Sequence, residues 1–332
     1  MLWRVSTLIK MTLVNDTFGI IFRLTDEGDT HGPCMSGMIE NCPAGVVIDE
    51  AFIQQELSRR APSSDANSTK RREPDVLEFT SGVLDGKTTG EPIRFKIPNR
   101  DVKVDEVQKY VIKPSHASFV YRQKYGAQSN EECGRASARQ TVCRVVAGAI
   151  AKLYLRQYGI DIKAEVLSTG KPSCEGDTFG ALVGCRISNL PAGLGEPVYN
   201  KFHARLAFAM MSINATKGFE IGEGFAAAEM CGSQYNDTQN SDFSFNSNHD
   251  GGVQAGITNG QEVYFNVAFK PIPSIQMEQQ TIDFDGNPVI FKAHERNDRC
   301  VVPRVLPVVE AMAAMVVADF MLLQASNKQS NK

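Results

Sequence analysis

The sequence predicts an α+β fold. Segments alternating apolar and polar residues recur, as half-buried strands should. Stripes of helical period lie between them. Strand and helix do not alternate strictly, which argues against a doubly wound parallel sheet.

The elements follow in order. A strand pattern opens at Thr17 in TFGIIFRL. A helix near Asp49–Arg60 has Asp49 placed as its N-cap. In GEPIRFKIP, Ile93, Phe95 and Ile97 face one way and Arg94 and Lys96 the other. From Ser137 to Tyr158, Val142, Val145, Val146, Ala149, Ile150, Leu153 and Tyr154 form an apolar stripe that stops at Gly159. A further helix covers Phe202–Ile213. In QEVYFNVAF, Val263, Phe265, Val267 and Phe269 oppose Tyr264 and Asn266. Pro307–Gln324 is apolar almost all round, with only Glu310 and Asp319 as acids; a core helix fits it better than a membrane span. Pro62–Arg72 and Tyr235–Asp250 read as loops.

Length and charge set the bounds. The chain has 332 residues, 35 basic and 38 acidic, for a formal charge of −3. That balance does not advertise nucleic-acid binding. Eight cysteines in a chain this long are no disulfide framework, and none sits in a zinc-type CxxC pair, so no metal is expected. The N-terminus lacks a signal-peptide pattern, and cytoplasm is the default expectation. Met11 reads as an alternative start, making 1–10 an extension before a single domain over 11–325 and a polar tail at 326–332.

Four constellations carry chemical potential. THG places His31 among glycines. KPSHASF places His116 after Pro114. GRASARQTVCR sets Arg135, Arg139 and Arg144 where a glycine leads into a helix, with Arg135 and Arg139 four apart on one face, and with Arg59, Arg60, Arg71 and Arg72 suggests an anion site. ERNDRC offers Asp298 as a base or a helix cap. His203, His249 and His294 have structural readings. Spacing alone assigns none of these a role.

The order of the pieces resembles the chorismate synthase family over Thr17–Leu323. The matching strings include THG (30–32), PAGVVID (43–49), RREPD (71–75), SGVLDGKTTGEPI (81–93), PSHA (114–117), GRASAR (134–139), MSINATKGFEIGEGF (211–225), SNHDGG (247–252) and KPIPSI (270–275). The resemblance implies a carbon–oxygen lyase. It converts 5-enolpyruvylshikimate 3-phosphate to chorismate and phosphate by 1,4-anti elimination, the last step of the shikimate pathway. It implies reduced FMN as cofactor and associates the reaction with NADP. The implied fold is a β-α-β sandwich with helices between antiparallel sheets, assembled as a homotetramer, with no nucleic-acid or membrane partner. The reading from another class is a catalytically impaired paralogue that binds flavin or another anion, or serves as an assembly subunit.

The resemblance also implies roles by position. His31 matches the histidine near the leaving phosphate, His116 the one that protonates reduced flavin, and Asp298 the aspartate that helps remove the C6 proton. Arg60, Lys113, Arg139 and Arg304 fall at substrate-anion positions. Arg135, Ala136, Ser137, Asn214, Ala215, Ala255, Lys270, Pro271, Ile272, Pro273, Ser274 and Arg296 fall at flavin positions. Several residues depart from the family pattern. Glu27 replaces an aromatic, Ala61 and Ala66 replace arginines, Lys113 replaces an arginine, Glu131 and Glu132 replace Arg and Gly, and Ala255 replaces a glycine. Glu295, Asn297 and Arg299 alter the GRHDPC string. The Lys163–Pro191 interval is shorter than usual in the family.

Overall fold

Two antiparallel sheets enclose a layer of helices in the computed structural model, which describes residues 16–62, 74–100, 110–126, 134–293 and 298–330. One sheet has strand order β1-β2-β3-β7-β4, formed by Thr17–Phe18, Arg23–Asp26, Cys34–Glu40, Ile93–Pro98 and Glu78–Ser81. The other runs β10-β13-β9-β8, from Thr216–Ile221, Val263–Phe269, Ala181–Ser188 and Asp161–Thr169. Two-stranded ribbons complete the strands: β5 and β6 (Val83–Leu84, Lys87–Thr88), β11 and β12 (Val253–Gln254, Ile257–Thr258), and β14 and β15 (Gln279–Ile282, Pro288–Phe291).

The helices are α1 (Glu50–Arg60), α2 (Ser118–Tyr125), α3 (Thr141–Leu155), α4 (Phe202–Met211), the short α5 (Gly232–Tyr235) and α6 (Leu306–Ser330). Helix α3 packs on β2 and β3 of the first sheet, α6 packs on β8 and β9 of the second, and α3 and α6 pack on each other. This is the α+β sandwich expected. Strand alternation follows the sequence closely: Ile93, Phe95 and Ile97 are buried while Arg94 and Lys96 are exposed.

Helix boundaries carry two corrections. The single helix expected over 137–158 is α3 flanked by 3₁₀ turns at Ala138–Gln140 and Arg156–Tyr158, ending at Gly159 with φ +71°. Helix α6 continues to Ser330, into the stretch read as a polar tail. Asp49 caps α1 as expected, its Oδ1 accepting from Phe52 N at 2.9 Å.

Helix α6 is long and apolar enough to cross a membrane, yet 78% of its most apolar 18-residue window is buried inside the fold. Its two acids explain why an all-round apolar helix tolerates charge. The Asp319 carboxylate accepts the backbone N–H groups of Ile20, Ile21 and Phe22 at 2.6–3.0 Å. Glu310 accepts a two-pronged pair of bonds from Arg59 at 2.7 Å, and Lys152 donates to it at 2.6 Å. Burial pushes the Glu310 carboxyl up, but the bonds from Arg59 and Lys152 hold it below its ordinary value.

The α3–α6 crossing is close because Gly148 has no side chain: a Cβ there would overlap Cα and Cβ of Ala311. Overpacking of this kind costs about 1–3 kcal/mol. Gly148→Ala should therefore lower the denaturant midpoint measurably. A midpoint equal to that of the parent would show that the helices part freely.

Candidate active site

The 134–140 turn before α3 holds together two groups of the residues singled out in the sequence. Toward one side, Thr30 Oγ1 donates to the Gly134 carbonyl at 2.9 Å, seating the His31 turn on it. A Cβ on Gly134 would overlap the Asp29 carboxylate, so any side chain there would have to displace that carboxylate. Toward the other side, Asn214 Nδ2 donates to the Ala136 carbonyl at 2.9 Å.

The first group is anionic in its preference. Asp75 is buried, and its two oxygens are divided: Oδ2 accepts from Arg60 Nη1 at 3.0 Å, and Oδ1 accepts from Arg139 Nη1. Arg60 also donates to Thr141 Oγ1 and the Ala138 carbonyl, each at 3.2 Å. Burial, with the neighbouring charges of Arg304 and Arg139, pushes Arg60 down to about 10 despite the pull of Asp75. Arg304 Nε donates to the Arg60 carbonyl at 2.9 Å, and its Nη1 pairs with Asp298. Arg60, Arg139, Arg304 and Asp298 therefore form one connected cluster. His31 is exposed at the tip of its turn, its backbone N–H bonded to Asp29 Oδ1 at 2.8 Å.

The second group gathers most of the residues assigned to the flavin. Lys270 N donates to the Ala215 carbonyl at 2.9 Å, and Lys270 Nζ donates to the Ser115 carbonyl at 3.0 Å. Ala215 has φ +66°, which turns its backbone sharply into this contact. The segment after Lys270 is fastened by Thr178 Oγ1 donating to the Ile272 carbonyl at 2.7 Å. Ala293 N donates to the Ile275 carbonyl at 3.1 Å, bringing KPIPSI beside the strand that leads to Asp298. Lys113 places its ammonium 6.0 Å from the Phe291 ring centroid.

His116 belongs to this second group. Its Nδ1 accepts from Ser118 N at 3.2 Å, so the neutral ring carries its proton on Nε2. Burial first, then the charges of Lys113 and Lys270, push it down to about 4 from an ordinary 6.5. Between those values the unfolded chain binds a proton that the folded chain does not, so stability falls as pH falls from 6.5 toward 4. The effect is on the order of 2–3 kcal/mol. His116→Gln should lose less stability than the parent between pH 7 and pH 4.5 in chemical denaturation. Equal losses would contradict this placement of the imidazole.

Several expected placements are revised. Arg135 and Arg139 do not share a helix face, because both precede α3. Arg135 turns instead to Asp26 (Oδ1 at 3.2 Å), to the Gly28 carbonyl and to Asp16 at 2.6 Å. Burial pushes Asp26 up to about 6, against the opposing pull of Arg135 and Arg144. Arg59 leaves the anion group for Glu310, and Arg144 donates to Ser212. Asp298 is not a helix cap, since α6 begins at Leu306. Ala255, with φ +52°, lies in the β11–β12 turn. The next residue, Gly256, accepts from Phe202 N at 2.8 Å, at the opposite end of α4 from Asn214. Ten residues of helix span about 15 Å. Arg71, Arg72, Ala66, Glu131, Glu132, His294, Glu295, Arg296 and Asn297 lie outside the described residues. Glu27 pairs with Arg94 across the strands at 3.2 Å.

Sequence reasoning missed Asp75, Asn99 and Ser118. Asp75 stood in the RREPD string, but its partners lie 15 and 64 residues away. His249, read as structural, is paired through Nδ1 with the buried Asp237 at 2.8 Å. Among the described residues no group of three or more His, Cys, Asp or Glu side chains is placed to hold a metal.

The sequence matches the chorismate synthase family profile over residues 22–175 and 171–322. The break between the two pieces falls at the connection between β8 and β9, where the interval looked short. Chorismate synthase of Parabacteroides distasonis is 43% identical over 355 aligned positions, covering 94% of this chain and 99% of that protein. That of Christiangramia forsetii is 44% identical over 352, again covering 94% of this chain and 99% of that protein. A crystal structure of chorismate synthase superposes with a TM-score of 0.72 at 28% identity, covering 92% of this chain and 93% of the other. The chain is a member of the chorismate synthase family.

Proposed function

We propose that the protein is a chorismate synthase that eliminates phosphate from 5-enolpyruvylshikimate 3-phosphate in the presence of reduced FMN. The observation that carries this reading is the shared turn at 134–140, which joins an arginine–histidine group to the segments assigned to flavin. A substrate with one phosphate and two carboxylates needs several guanidinium donors, and Arg60, Arg139 and Arg304 are clustered to supply them.

The residues present fit a flavin. Lys113 and Lys270 both act electrostatically on His116, and the backbone around Ala136, Ala215 and Lys270 is drawn together there. Ala136, Ala215 and Lys270 would hold reduced FMN here, and the group would supply electron density for phosphate departure when bound. His116, neutral with Nε2–H available, donates a hydrogen bond toward the ring. His31, on its exposed tip, delivers a proton to the departing phosphate. Asp298, beside Arg304, takes the C6 proton. Arg60 and Arg139 arrive already aligned by Asp75, so little rotamer freedom is lost when the anion binds. The family resemblance supports assembly as a homotetramer and a cytoplasmic location.

Calorimetric titration tests the binding part. FMN should bind more tightly with substrate present than alone, because the substrate packs against the ring. No binding of FMN under either condition would overturn the flavin assignment.

A further inference from the structure

Asn99 follows β7 directly and lies between the histidine turn and the arginine cluster. Its Nδ2 donates to the carbonyls of Asp29 at 3.0 Å and Gly32 at 2.9 Å, with a longer bond to Thr30 at 3.4 Å. Its Oδ1 accepts from both Nε and Nη2 of Arg139, each at 3.3 Å. Its backbone N–H donates to the Pro33 carbonyl at 3.0 Å, which anchors the residue at the end of the same turn. One amide therefore bonds the loop bearing His31 and a guanidinium assigned to the substrate.

The side-chain chemistry is specific. An amide offers two N–H donors on one side and an acceptor oxygen on the other. An aspartate would still accept from Arg139, but it would repel the three carbonyls. An alanine would bond neither. Arg139 has a second hold through Asp75, whereas among the described residues no hydrogen bond other than those of Asn99 links the Asp29–Gly32 carbonyls to that guanidinium.

We propose that Asn99 is a positioning residue that fixes the His31 turn relative to the Arg139 guanidinium, and so sets the proton donor against the bound anion. The proposal rests on the reaction assigned above. Misplacing a reacting group by about 1 Å can cost on the order of 10²-fold in rate.

Steady-state kinetics with reduced FMN separates the two ties. Asn99→Ala should lower kcat by about ten- to a hundredfold and leave KM within about threefold, because Asp75 still holds Arg139. Asn99→Asp, nearly the same shape, should lower kcat similarly. It should also raise KM by about tenfold, because it places a carboxylate beside a trianion. Amide hydrogen exchange reads the first tie without turnover. Exchange over residues 29–32 should quicken by about tenfold in Asn99→Ala, while α3 keeps the parent's protection. Parental kcat in a folded Asn99→Ala variant, or unchanged exchange in the turn, would overturn the proposal. If the parent itself forms no chorismate, the reaction assignment fails, and the exchange result alone decides the role of Asn99.

Discussion

His31→Ala and His116→Ala should each lower turnover at least tenfold while the fold is kept, since general acid catalysis contributes roughly 10²–10⁴-fold. The two variants should fail differently. His31 is exposed at the tip of a turn, and only its backbone N–H has a described hydrogen bond. Its replacement should leave stability unchanged and act on the release of phosphate. His116 accepts from Ser118 N, so truncating it frees a backbone donor in the 115–118 segment and costs about 1 kcal/mol of stability. Under the proposed reaction, a substrate trianion bound near Lys113 and Lys270 would raise the His116 pKa from its low resting value by offsetting the cations that depress it. Wild-type turnover in both variants would remove the proton-handling roles.

Asp75→Ala should produce the largest loss of stability. It leaves two buried guanidinium groups, Arg60 and Arg139, facing each other with no carboxylate between them. Breaking a buried ion pair from one side costs about 3–5 kcal/mol. The shift should appear as a lowered midpoint in urea, with a lesser shift for Asp75→Asn, which keeps a hydrogen-bond acceptor. The same change removes a negative charge from the proposed anion site. A folded Asp75→Asn variant should thus bind substrate no more weakly on charge grounds, and any loss of turnover reports lost alignment. A midpoint for Asp75→Ala within about 0.5 kcal/mol of the parent would show that Arg60 and Arg139 find other partners.

Local patterns in the sequence revealed the elements that local physics controls. The Asp49 cap, the alternation along β7 and β13 and the all-round apolar α6 each depend on neighbours within a turn or a strand. Strand β8 was not legible, because it lies at a sheet edge and its residues after Ile162 are mostly exposed, so the period-two signal fades. The shared face expected for Arg135 and Arg139 failed for a related reason. A 3₁₀ turn, not an α-helix, occupies 138–140, and the two guanidinium groups diverge to Asp26 and Asp75. Asp75 and Asn99 could not be read because their value lies in bonds across 64 and 67 residues of sequence. The family strings placed the histidines, but the acid that aligns the arginines emerged only from the fold.

The most direct measurement is the anaerobic incubation of the purified protein with 5-enolpyruvylshikimate 3-phosphate and reduced FMN, with chorismate and phosphate followed together. The account predicts that both appear in equal amounts, that neither appears without flavin, and that oxidised FMN does not substitute. Tight flavin binding with no chorismate formed, under conditions where a related chorismate synthase turns over, would contradict it and leave the chain a non-catalytic anion-binding member of the family.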